Sequence, residues 1–293
     1  MHLEAEEVFN SYNEFAGYCY ENYMKEIEKK TLNGKEFVYK EHELLAYVNE
    51  QLQSWVTMPI DSLGGITPLQ FFQNIKGLDN FIEVFKIGSK ICVDVLPDVF
   101  IDALKGYGQE AVERLFELAV NKDFISDMDE NYAIPLMAIK ILSLWKEERA
   151  VPVFIDLLME IDEDNELFLE SIKQALVDIG EKALMPIFNS INTAPQIGVR
   201  QEYLIMALSE VGRYHRSDFI YKCLKDSFRR MENKVMGALC LAGYGDGRAI
   251  PALRGYVLKN YTKLDRNSFL DFLWAIEELG GEIQDLKQFM PAT

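Results

Sequence analysis

The chain has 293 residues, 49% of them hydrophobic, and a formal net charge of -17. That length holds one large domain or two smaller ones with ample core, and that apolar share excludes a disordered chain. No apolar run reaches the roughly 20 residues that span a bilayer, and the acidic start, MHLEAEEVFN, has no basic stretch ahead of an apolar one, so no membrane contact and a cytoplasmic location are expected.

In chain order, Val8, Phe9, Tyr12, Phe15, Cys19, Tyr23 and Ile27 recur every three or four residues and predict a long first helix. Phe37, Leu44, Leu45, Val48, Leu52 and Trp55 predict a second. Asn33-Gly34 lies between these helical patterns, without the alternating β-branched flanks of a hairpin. Then comes WVTMPIDSLGGITPLQFFQNI. Gly64-Gly65 breaks the chain, Thr67 is placed to cap a helix, and Pro68 fits its first position. Trp55, Met58, Ile60 and Leu63 make the loop unusually apolar, so it is expected to be pinned to the core. Its pattern Trp…Pro…Leu-Gly-Gly-x-Thr-Pro is similar to the toxin-binding segment of some bacterial antitoxins. It is also similar to a linker ahead of helical repeats in bacterial proteins. That similarity implies a regulator docking a partner through residues 58–68. Residues 1–95 are expected to form an N-terminal helical region.

From residue 96 on, LSLWKEERAVPVFIDLL, LVDIGEKALMPIFNSI, LSEVGRYHRSDFIYKCL and LAGYGDGRAIPALRGYV each end one apolar helix, turn, and start another. Pro152, Pro186 and Pro251 are expected in the first turn of the second helix, where no donor is lost. Gly180, Gly212 and Gly245 are expected near the first helix's end, where positive φ is useful. First helices are expected near Leu96–Leu104, Tyr132–Trp145, Leu167–Ile179, Val199–Val211, Met231–Ala242 and Asn267–Leu279. DGRAIPAL and EERAVPVF resemble the HEAT-like repeats of the short type first noted in phycobilisome lyases, over roughly Pro97 to Phe289. The resemblance implies an all-α, right-handed α-α superhelix (a HEAT-like repeat solenoid) of about six hairpins at 96–293. Each hairpin is too small to bury its apolar face alone, and stacking buries it continuously. It further implies a noncatalytic protein-binding scaffold using the concave face. Base-excision or nucleic-acid binding is the alternative.

Chemistry-bearing motifs are sparse. The glycines of GYGDGRAIPALRGYV, Gly243 to Val257, follow a helical pattern rather than a strand and lack the G-x-G-x-x-G spacing, so a turn between helices is expected and not a phosphate loop. Cys19, Cys92, Cys223 and Cys240 sit apart among apolar neighbours and read as buried thiols. Asp127–Asn131 and Asp162–Glu166 lack the glycine and closing glutamate of a calcium loop. His215, Ser217 and Asp218 are too close in sequence for triad geometry, and Ser217 or Asp218 is expected to cap a helix. HEAT-like DNA glycosylases need a basic concave face with aromatic residues and a catalytic aspartate. Trp145 and Trp274 fall in apolar stripes that predict core packing, and neither Asp178 nor Asp271 matches a catalytic motif. No catalytic residue, cofactor or metal is assigned.

Charge is uneven along the chain. Residues 196–266 carry 13 Lys and Arg against 7 Asp and Glu, a local +6 in an acidic protein. Arg200, Arg229, Arg230, Lys234 and Arg266 are expected near the starts of first helices, Arg248 in a turn, and Arg254 on a second helix. Repeats place equivalent positions in rows, so these seven form the candidate surface for an acidic protein partner, with nucleic acid as the lesser candidate.

Overall fold

The computed structural model describes residues 1–32, 41–127 and 130–291. Asn33-Gly34, Phe37 and two members of the 127–131 acidic loop lie outside the described residues. The protein is all-α. Among the described residues there are sixteen helices, and the one β-type pairing is an isolated bridge between Ile60 and Ile66. Contacts divide the chain into two compact units, 1–141 and 142–293, and the expected boundary at 95/96 falls inside the first.

The first unit holds α1 (His2–Leu32), α2 (Glu41–Trp55), α3 (Pro68–Asn74), α4 (Leu78–Ile91), α5 (Asp98–Lys105), α6 (Gln109–Ala119) and α7 (Lys122–Ser126). α1 packs along α2 and α4, while α3 packs on α5 and α6 lies against both α4 and α5. Phe9, Phe72, Phe81 and Phe100 are buried together at the centre, with ring centroids 5.4 to 6.0 Å apart. α8 (Ala133–Leu144) carries the division between the units.

The second unit is a stack of hairpins: α9 (Ala150–Glu160), α10 (Glu166–Ile179), α11 (Glu181–Thr193), α12 (Val199–Gly212), α13 (Asp218–Arg230), α14 (Lys234–Tyr244), α15 (Ile250–Asn260) and α16 (Arg266–Glu278). α10, α12, α14 and α16 are first helices and lie side by side. They pack on one another more closely than α9, α11, α13 and α15 do, so the first-helix row is the inner layer of this stack. Apolar residues of every hairpin meet the next, which is how the stack gains a continuous core.

Three local expectations need correction. Pro186 lies inside α11 rather than in its first turn, because α11 starts directly after Gly180. Gly180 (φ 87°) and Gly245 (φ 77°) do take positive φ, but Gly212 is helical. A Cβ there would lie 3.0 Å from Ile220 and 3.3 Å from Tyr244, so close approach is what this glycine permits. Ser217 stands at the N-cap of α13 without a side-chain cap bond.

All four cysteines are free and buried. Burial pushes the thiols of Cys92 and Cys240 up to about 12 and that of Cys223 to about 11. A thiolate is the reactive form. At pH 8 an aromatic disulfide reagent should therefore label less than about one thiol per native chain within minutes, and all four after denaturation. Rapid native labelling would show that these sites open.

Candidate functional site

Most of the candidate cations are tied down within the second unit. Arg200, in the first turn of α12, donates from Nε to the Ile161 carbonyl (2.8 Å) at the end of α9 and lies 3.4 Å from Glu163. Arg229 and Arg230 close α13 rather than opening a first helix. Arg229 pairs with Asp226 at 2.9 Å, and Arg230 donates to the Ala194 carbonyl that follows α11. Lys234 donates to the carbonyls of Phe228 and Arg229, each at 2.8 Å, and burial lowers its pKa. Arg200, Arg230 and Lys234 thus meet the negative ends of helices, where they satisfy carbonyls that the helix itself leaves open.

Arg248 stacks on the Tyr221 ring, 4.3 Å from its centroid, and binds Asp246 and Asp218, each at 2.7 Å. Its hydrogen bonds hold the Asp246 carboxyl below the usual range. Arg254 bonds the Glu282 carbonyl and Asp285 in the tail after α16. Arg266 is exposed at the start of α16. The turns of successive hairpins are also laced together: Lys182 lies 3.3 Å from Glu148, and His215 lies 3.9 Å from Glu181. Six of the seven candidates thus serve contacts between or within repeats. The loop Asp162–Glu166 turns on itself, and its Asn165 caps α10 through the Phe168 N–H.

The first-helix row presents a different surface. Along each helix one stripe at i, i+3 or i+4, and i+7 stays outside the core: Leu167, Glu170 and Gln174 on α10; Tyr203, Met206 and Glu210 on α12. The stripe continues as Met236, Leu239 and Gly243 on α14, then Leu270, Trp274 and Glu277 on α16. Trp274 is 52% exposed, which overturns its expected core packing; Phe272, Leu273, Ala275 and Ile276 fill that side of α16 instead. Trp145 is half-buried, with its indole N–H sequestered and unpaired. Leu270 is 41% and Leu167 50% exposed.

Carboxylates flank this apolar strip. Glu166, Glu170 and Glu202 act electrostatically on Tyr203, whose pKa is raised first by burial and then by these neighbours. Glu202 is itself raised, by burial and by Glu232, against the Asn233 hydrogen bond. Lys173 is buried between Glu170 (2.8 Å) and Glu210 (3.1 Å). Burial works against its charge, but the two hydrogen-bonded carboxylates outweigh that and keep the ammonium above its usual value.

In the first unit, the loop 58–68 is only half pinned. Trp55, Ile60 and Pro68 are buried, while Met58 and Ile66 are 45% and 41% exposed. Gly64 and Gly65 have φ of 66° and 85°, Ile60 N–H bonds the Ile66 carbonyl (3.1 Å), and Thr67 and Gln70 form a capping box. This wall and the start of α1 enclose an open cavity of about 660 Å³ lined by Leu3, Glu4, Glu7, Leu63, Ile66 and Phe71, among others. Ser62 closes one side by bonding Glu7 at 2.9 Å.

Among the described residues no group of three or more His, Cys, Asp or Glu is placed to hold a metal ion, and no helix is long and apolar enough to cross a membrane. Comparison with protein-family models, curated proteins and solved structures gives no match to this chain.

Proposed function

We propose that this is a noncatalytic protein-binding scaffold of the cytoplasm, built on HEAT-like hairpins, whose binding surface is the first-helix row of the second unit. The observation that carries this reading is the exposed Leu270–Trp274 stripe, continued across α14 and α12 by half-buried Leu239, Met236, Met206 and Tyr203. A contiguous apolar strip with a polar rim is what a partner-binding surface needs, and Trp, Tyr and Met are the residue types enriched there. The basic tract offers less, because six of its seven candidate cations already hold carbonyls or carboxylates.

The test is affinity capture from cell extract with wild type, Trp274→Glu and Arg266→Glu. Trp274→Glu should lose the captured partners while keeping the native helical spectrum, and Arg266→Glu should keep them. The opposite pattern would return the partner site to the basic tract, and with it the acidic-partner and nucleic-acid readings. A second reading, docking through residues 58–68, is favoured by the cavity under that loop. Ile66→Glu, on its rim, should weaken capture only if this second surface is in use.

A further inference from the structure

We propose that the first-helix row binds a basic amphipathic helix of the partner, with the apolar side of that helix on Trp274, Leu270, Leu239 and Met206 and its cations on Glu170, Glu202 and Glu210. This inference rests on the protein-binding reading given above and adds the chemistry of the partner. Three observations carry it.

The first is shape. Four helices lie side by side, and at spacings of about 8–10 Å their row extends about 24–30 Å. A helix rises about 1.5 Å per residue, so about 16–20 residues cover that distance. An apolar strip of this length suits the apolar face of one amphipathic helix laid across the row.

The second is charge. Glu170, Glu202 and Glu210 stand in or beside the strip, and Lys173 is the cation buried between two of them. One ammonium cannot neutralise three carboxylates. Glu202 feels Glu232 as well, and it is partly desolvated with a neutral asparagine as its hydrogen-bond partner. A cation brought beside it relieves both costs. The basic side chains at the row's start do not fill this role, because Arg200 and Lys234 are bonded to carbonyls at the ends of α9 and α13.

The third is adaptability. The strip's middle is Met206 and Met236, unbranched side chains that re-pack around an incoming apolar face.

The experiment uses the full chain and three labelled 18-residue peptides read by fluorescence anisotropy at about 100 mM salt. One is an amphipathic Lys/Leu helix, one is the same helix with Glu for every Lys, and one is a scrambled Lys/Leu sequence with no apolar face. The Lys/Leu helix should bind at micromolar concentration, and each of the others at least tenfold more weakly. The whole chain is acidic, so a charge control is needed. Glu170→Gln/Glu202→Gln/Glu210→Gln should weaken the Lys/Leu helix at least tenfold. Glu14→Gln/Glu28→Gln/Glu110→Gln, three exposed carboxylates of the first unit, should leave it within about twofold. Equal effects of the two triple variants would overturn the inference, as would no binding at 100 µM. If the Glu/Leu helix binds as well as the Lys/Leu helix, and Trp274→Ala weakens both, the basic-partner inference falls while the first-helix surface stands. If Trp274→Ala leaves every peptide unchanged, the surface itself falls.

Discussion

Tyr244→Ala is expected to destabilise the folded chain by about 3–5 kcal/mol, read as a lower urea midpoint with an unchanged slope. Tyr244 is fully buried and among the largest side chains that are. Its ring lies against Gly212, where a Cβ would approach to 3.3 Å, so the surroundings are already close-packed. Its hydroxyl accepts from the Ser217 N–H at 2.9 Å and donates to the Ser217 carbonyl at 3.0 Å. One side chain therefore ties the end of α14 to the start of α13, where the Ser217 hydroxyl supplies no cap. Tyr244→Phe separates the two contributions. It keeps the ring and strands two backbone groups, a loss of about 1–3 kcal/mol. A Phe variant as stable as wild type would mean that water takes over both bonds, and the tie would then be packing alone.

This tyrosine sits in the glycine-rich stretch Gly243–Val257, and it shows what periodicity does and does not reveal. The expected first helices at 167–179 and 199–211 match α10 and α12 within a residue at either end. Their apolar spacing of three and four is dictated locally by which face meets the core. The turn at Gly245 was equally visible, because only a residue tolerant of φ 77° fits there. The role of Tyr244 was not, because its partner lies 27 residues away. The same holds for the cations. Arg200 and Arg230 look like surface charges until their carbonyl partners, 39 and 36 residues back in the preceding repeat, are placed beside them.

The first-helix strip did leave a trace in the sequence. RNSFLDFLWAIEE has apolar residues at 269, 270, 272, 273, 274, 275 and 276, too many for one face of a helix. VMGALCLAGY in α14 is apolar around its whole circumference. A helix that is apolar all round is either buried on every side or presents apolar surface to something else. Trp274 falls in that apolar run together with Phe272, Leu273 and Ile276, and the run by itself predicts core packing for all of them. With those three buried, the geometry of α16 turns Trp274 outward, on the same side as Leu270 four residues earlier. The flanking acids carried no such signal, since carboxylates are abundant throughout a chain with 47 Asp and Glu.

In the first unit the largest effect is expected at Phe9, where α1 and α4 come together. Phe9 is fully buried, 6.0 Å from the ring centroids of both Phe72 and Phe100. Phe9→Ala removes the centre of that aromatic cluster and should cost about 3–5 kcal/mol. The close approach depends on Gly88 in α4. A Cβ at Gly88 would lie 2.5 Å from Leu96 Cδ2 and 2.6 Å from Phe9 Cζ, and both of those side chains are fully buried with no solvent-facing space to enter. Two effects compete in Gly88→Ala. Helix propensity favours alanine by about 1 kcal/mol. Overpacking costs about 1–3 kcal/mol, and contacts this short in a closed core put it at the upper end. Gly88→Ala should therefore be destabilising by urea titration even though it improves the helix. The double variant Phe9→Leu/Gly88→Ala discriminates between steric conflict and some other defect. Leu at 9 withdraws the ring edge that faces the new methyl, so the pair should be less destabilised than the sum of the singles by about 0.5–3 kcal/mol, the range for residues in contact. Strict additivity would show that Leu96, not Phe9, sets the limit on how closely α4 can lie against its neighbours.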